Sequence, residues 1–110
     1  TIVGNLVENA FEAMNQPGVD LKELTVGIFT SPGAMIIRVD DTGMGIPENF
    51  REKVFEKGIT TKGENHGTGL FLVRQIVERY SGTIDFESEE GVGTSFTVSL
   101  LNANGGNRDV

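Results

Sequence analysis

The glycines of this chain are grouped, and the grouping constrains the fold more than any other feature. Of fifteen in 110 residues, Gly43 and Gly45 stand in Asp41-Thr42-Gly43-Met44-Gly45, four lie between Gly58 and Gly69, and two in Gly91-Val92-Gly93. The overall share is well above the usual ~7%, and glycine so localised implies ligand loops. The stretches between these loops are periodic, and their periods set the fold class.

Ile2, Leu6, Ala10 and Ala13 recur at helical spacing, with Val3, Val7 and Met14 widening the stripe. Residues 1 to 15 are therefore predicted to form a largely buried helix, ended by Gln16-Pro17-Gly18. Leu24 to Phe29 and Met35 to Val39 are β-rich runs joined by Thr30-Ser31-Pro32-Gly33, which predicts a hairpin. Pro47-Glu48-Asn49-Phe50 starts a short helix ending near Glu56, and the polar stretch Lys57 to Gly69 is predicted to be a mobile loop. Leu70, Val73, Ile76, Val77 and Tyr80 define a second long helix, stopped by Ser81-Gly82. Thr83 to Ser88 and Thr94 to Leu101 make a second hairpin around Glu89 to Gly93. The order predicts an α+β fold: a two-layer α/β sandwich with helices on one face of a mixed, mostly antiparallel sheet. Residues 1–101 form one domain and 102–110 a frayed polar tail.

Nine Lys and Arg against sixteen Asp and Glu give a net charge of −7, which argues against nucleic acid as a partner. The absence of cysteine excludes disulfides, thiol chemistry and cysteine metal sites. No apolar run approaches the roughly 20 residues of a membrane span. The chain opens at Thr1-Ile2-Val3, already in a helical pattern and without an initiator Met, so it is expected to be a piece of a longer protein.

On a helical wheel Asn5, Asn9 and Glu12 fall within roughly 60° of one another, opposite the apolar stripe. Two carboxamides one turn apart offer oxygens to a hard cation such as magnesium and N–H groups to phosphate. The solvated side of any amphipathic helix has the same pattern. Asp41 follows a strand, in a turn whose glycines leave room for a flat ring. Its carboxylate could accept from an exocyclic amino group such as adenine carries, although an ordinary Asp-x-Gly turn is spelled alike. His66-Gly67-Thr68-Gly69-Leu70 opens the second long helix, where unpaired N–H groups and the positive dipole end make an anion site. It is neither a Walker loop, which needs Gly-Lys-Ser/Thr, nor a Rossmann fingerprint. Lys57 and Lys62 could swing onto phosphates or simply be solvated.

Taken in order, Asn-x-x-x-Asn-Ala on a helix, Asp-x-Gly-x-Gly after a strand and Gly-x-Gly-Leu opening a helix resemble the Bergerat-type ATP-binding family. That family comprises gyrase-like, chaperone, histidine-kinase and mismatch-repair ATPases, and the resemblance covers nearly all of residues 1 to 101. Asn5-Leu6-Val7-Glu8-Asn9-Ala10, Val54-Phe55-Glu56-Lys57-Gly58-Ile59-Thr60-Thr61-Lys62, Gly67-Thr68-Gly69-Leu70 and Gly91-Val92-Gly93-Thr94-Ser95-Phe96 resemble the catalytic domain of a sensor histidine kinase. Glu8 to Ala13, together with Phe55 to Gly58 and Thr-Thr-Lys-Gly, is most similar to the citrate and C4-dicarboxylate sensor subgroup.

The resemblance implies ATP and magnesium as ligands. Asn9 would hold the metal and Asp41 the adenine, with Thr94 beside it. Asn5, Gly43, Gly45, Ile46, Lys57, Thr61, Lys62, Gly67, Thr68, Gly69 and Leu70 would surround the nucleotide, and Lys57 to His66 would form a lid. Asn5 and Lys62 are the candidates for a part in the chemistry. Three positions depart from the pattern: Glu12 stands where many histidine kinases carry a phosphate-binding Lys, a contact Lys57 or Lys62 could replace. Phe71 replaces a frequent third glycine, and Ile59 the second aromatic of the lid motif.

Position 5 bears on the reaction. In the hydrolase branches a Glu one turn before the magnesium Asn polarises the attacking water; Asn5 leaves water poorly activated. Glu8 lies about 100° around the helix from Asn9. The implied activity is transfer of the γ-phosphate to a histidine on a helical dimerisation domain N-terminal to Thr1 in the parent, with a response regulator downstream. The domain would be cytoplasmic, touching neither nucleic acid nor membrane, in a parent anchored in the inner membrane. His66 lacks the helical context of a phosphoacceptor. Two other functions could use such a site: an anti-sigma-type serine/threonine kinase, and a binding module switched by nucleotide.

Overall fold

The computed structural model describes residues 1–56 and 69–101. Helix α1 (Ile2–Met14) is capped by Thr1, whose hydroxyl accepts the Gly4 N–H at 2.8 Å. Thr1 and Asn15, counted inside the predicted helix of residues 1 to 15, are therefore its two caps. Strands β1 (Leu24–Ser31) and β2 (Ala34–Asp41) follow. Ser31 pairs with Ala34, so the connecting turn shrinks from the predicted four residues to Pro32-Gly33. The short helix after Pro47 is a 3-10 helix, Glu48–Lys53. Helix α2 (Gly69–Arg79), β3 (Thr83–Glu89) and β4 (Gly93–Leu101) complete the described elements. The loop expected from Lys57 lies, up to Thr68, outside the described residues, as does the tail expected from Asn102.

The sheet order is β1-β2-β4-β3, and each of its pairings is antiparallel, with no parallel pair among the described strands. β4 thus enters between β2 and β3 instead of extending the edge. Period-2 alternation sends Ile37 and Val39 of β2 and Phe96 and Val98 of β4 to the same face. There they meet Leu6 and Ala10 of α1 and Leu70, Val73 and Val77 of α2 in one apolar cluster. Burying each of the larger of these side chains is worth about 1.5–3 kcal/mol, and this burial holds both helices on one face of the sheet. The opposite face carries Arg38, Asp40, Thr97, Asp85 and Glu87, all at least partly accessible to solvent.

Helix α2 stops at Ser81-Gly82, as its sequence predicts. Gly82 N–H donates to the Val77 carbonyl at 2.8 Å and Ser81 N–H to that of Glu78 at 3.1 Å, the paired bonds of a Schellman motif. Ser81, not Gly82, takes the left-handed backbone, with φ 59°. A side chain on Gly82 would collide with the Ser99 carbonyl. Tyr80, expected on the apolar face, is past the helix end and 62% exposed.

Candidate functional site

The polar seam of α1 faces the start of α2. Asn5 and Asn9 are half-buried, whereas Glu8 is exposed. Asn5 Nδ2 donates to the Thr1 carbonyl at 2.9 Å, which leaves its Oδ1 only 3.7 Å from where a Cβ on Gly69 would stand. The first turn of α2 carries no acidic side chain. The positive end of its dipole is therefore not countered by a carboxylate of its own first turn, a condition that favours an anion at a helix N-terminus.

Asp41 ends β2 directly opposite Thr94 of β4, and both side chains are buried, 7% and 6% exposed. Asp41 Oδ1 accepts the Gly43 N–H at 2.8 Å, which folds the chain sharply after the strand. Thr42 fixes the other side of the turn: its hydroxyl donates to the Leu21 carbonyl at 2.7 Å and accepts the Glu23 N–H at 2.9 Å. The turn is then fastened at both ends. Met44 N–H donates to the Ala13 carbonyl at 3.1 Å, and Gly91 N–H to the Met44 carbonyl at 2.8 Å.

The glycines of this turn serve the fold's own packing. A Cβ on Gly43 would sit 2.7 Å from the Ala13 backbone, and one on Gly45, at φ 78°, would collide with the Glu89 carbonyl. Sequence alone assigns them to the approach of a planar ligand. The structure supplies a nearer reason, the contact of this turn with α1 and with the β3–β4 hairpin. Ile46 sits at the end of the turn, half-buried, with its N–H on the Ser88 hydroxyl at 2.8 Å.

Ser88 is a contributor that the sequence motifs do not mark. Its hydroxyl also lies 2.8 Å from that of Thr94 and 3.2 Å from the Gly93 carbonyl, and its own carbonyl accepts from Arg51 Nη2 at 2.7 Å. The available signal was a lone hydroxyl on the inward side of β3, in step with Ile84 and Phe86. Phe55, in the Val54–Lys62 motif, packs edge-on against Phe86 and Phe96 with centroids 5.9 and 6.3 Å away. The Arg74 guanidinium lies 5.7 Å from its ring centre. The chain is thereby anchored to the core just before residue 57.

Of the residues singled out from sequence, Asn5, Asn9, Asp41, Gly43, Gly45, Ile46, Gly69, Leu70 and Thr94 are described. Leu70 belongs to the core at the start of α2. Lys57, Thr61, Lys62, His66, Gly67 and Thr68 lie outside the described residues.

Residues 1–104 match the family described as histidine kinase-, DNA gyrase B- and HSP90-like ATPases. A probable C4-dicarboxylate sensor kinase of Halalkalibacterium halodurans is 43% identical over 100 residues, covering 90% of this chain and 19% of the relative. Sensor histidine kinase DcuS of Escherichia coli K12 is 42% identical over 101 residues, covering 91% and 18%. The chain thus spans about a fifth of the length of these curated relatives. The solved catalytic domain of histidine kinase ThkA superposes with a TM-score of 0.73 at 30% identity, over 91% of this chain and 63% of that one. The chain belongs to the histidine kinase-, DNA gyrase B- and HSP90-like ATPase family. Within it, this is an ATP-binding catalytic domain of the sensor-histidine-kinase type.

Proposed function

We propose that the chain holds Mg·ATP between the α1 seam, the Asp41 turn and the start of α2, and donates the γ-phosphate to a histidine on a separate dimerisation domain of its parent. The observation that carries this reading is the buried Asp41–Thr94 pair, an acceptor-rich spot in an otherwise apolar interior, on the same side of the sheet as the Asn5–Gly69 approach.

The donor set suits magnesium. Asn5 and Asn9 bring amide oxygens, hard donors for an ion that keeps several waters and shares its shell with phosphates. Asn9 is the residue assigned to it, and the bound ion supplies charge neutralisation at the phosphates. The protein's part is positioning. An amide at position 5 cannot take a proton from water at neutral pH, and Glu8 points away into solvent. In the transfer, a bond forms from the histidine nitrogen to the γ-phosphorus while the bond to the bridging oxygen breaks and ADP leaves. The nucleophile must come within about 3–3.5 Å of phosphorus, so transfer requires the second domain to bring its histidine to the nucleotide.

The parent is assigned to the dicarboxylate and citrate sensor branch on the strength of its relatives' names. This domain would lie on the cytoplasmic side of an anchored receptor and signal to a response regulator. Among the described residues no helix is long and apolar enough to cross a membrane. The deciding experiment is incubation with γ-labelled ATP and the parent's dimerisation domain as a separate chain. Acid-labile label on a histidine of that domain is expected. Acid-stable label on an added protein would instead indicate a serine/threonine kinase.

A further inference from the structure

We propose that Ser88 fixes the direction of the Thr94 hydroxyl, turning Thr94 into an acceptor toward the nucleotide base and making Ser88 a positioning residue for recognition of a 6-amino purine. The inference rests on the assignment of Asp41 and Thr94 to the base site.

A serine hydroxyl has one proton and two lone pairs. Three groups surround Ser88 Oγ: the Ile46 N–H at 2.8 Å, which can only donate; the Gly93 carbonyl at 3.2 Å, which can only accept; and Thr94 Oγ1 at 2.8 Å, which can do either. Ile46 occupies one lone pair and Gly93 takes the proton. The contact with Thr94 is then made by Thr94 donating into the second lone pair. With its single proton so directed, Thr94 Oγ1 keeps only lone pairs for a ligand.

The geometry that enforces this is braced. Ser88 and Thr94 are direct partners in the β3–β4 ladder. The Ser88 backbone is held by Arg51, and the turn carrying Ile46 is stitched to the hairpin through Gly91 and Met44. Beside Thr94, the Asp41 carboxylate also offers acceptor oxygens. The pair therefore favours a base that donates at position 6 and disfavours one with a carbonyl there.

The test compares ATP with inosine triphosphate, which carries a 6-oxo group, by calorimetry on the 110-residue chain. Wild type is expected to prefer ATP. Ser88→Ala frees the Thr94 proton, so the ATP:ITP affinity ratio should narrow about three- to tenfold, the range of one neutral hydrogen bond. Ser88→Cys, similar in shape but a poor acceptor, should narrow it likewise and decides the matter should the alanine variant fail to fold. Ser88→Thr, which keeps the hydroxyl, should retain the wild-type ratio. Equal weakening of both nucleotides in the alanine and cysteine variants would reduce Ser88 to a structural residue and overturn the proposal. A wild type indifferent to ATP and ITP would instead overturn the base-site assignment, a failure visible before any variant is made.

Discussion

Asp41 and Thr94 stand directly opposite each other across the β2–β4 ladder, and among the described residues they are the two polar side chains that are buried. Directly paired side chains on one face of an antiparallel sheet lie about 4.5–5.5 Å apart at Cβ, so a carboxylate and a hydroxyl share one small space. Removing a carboxylate from water is costly unless it is hydrogen-bonded. The Gly43 N–H meets part of that need at 2.8 Å, and a ligand with an amino group suits the same acceptor.

Replacing that charge is the most direct test of nucleotide recognition. Asp41→Asn loses a charge-assisted hydrogen bond of about 1.5–3 kcal/mol, so ATP affinity should fall roughly ten- to a hundredfold. GTP should bind poorly to the wild type. Calorimetry giving equal ATP and GTP affinities, or an unaffected variant, contradicts the assignment.

Asn9 lies on the half-buried seam of α1, away from the core. Asn9→Ala should abolish the magnesium dependence of ATP affinity and leave the far-ultraviolet circular dichroism unchanged. Were magnesium to strengthen ATP binding equally in both proteins, the seam would be only a helix surface.

The chain alone should bind ATP without hydrolysing it quickly and without labelling itself. Asn5 cannot serve as the base, and Glu8 is exposed. Time courses with γ-labelled ATP check this. Rapid phosphate release would move the chain to the hydrolase branches, and label on His66 would overturn the argument about the acceptor.

Ser81 holds a left-handed backbone at φ 59° in the Schellman turn that ends α2. An L-residue there costs roughly 1–2 kcal/mol, partly offset by the extra freedom glycine has when unfolded. Ser81→Gly should therefore stabilise the chain by about 0.5–1 kcal/mol in urea unfolding, while Gly82→Ala should destabilise it because of the Ser99 carbonyl.

The chain's own order of residues was enough to place both long helices, both hairpins and the glycine-bearing turns at Asp41 and Gly91 within a residue or two. Each of these is encoded locally: apolar spacing selects a helical or an extended face, and Pro, Gly and Ser interrupt it within a few positions. Asn5, Asn9 and Asp41 stood out for the same reason, as polar residues at fixed offsets from such interruptions, and family resemblance put Thr94 beside Asp41. What folding alone decided is which faces meet. β4 inserts between β2 and β3 because that arrangement covers Phe96 and Val98 with α1 and α2, and this insertion sets Thr94 against Asp41 and Ser88 against Thr94. Gly43 and Gly45 must be glycine because Ala13 and Glu89, distant in sequence, press on them. Local spacing specifies torsions and the side a residue faces, whereas partners across the sheet are chosen by the burial of whole faces, a quantity no short window of sequence contains.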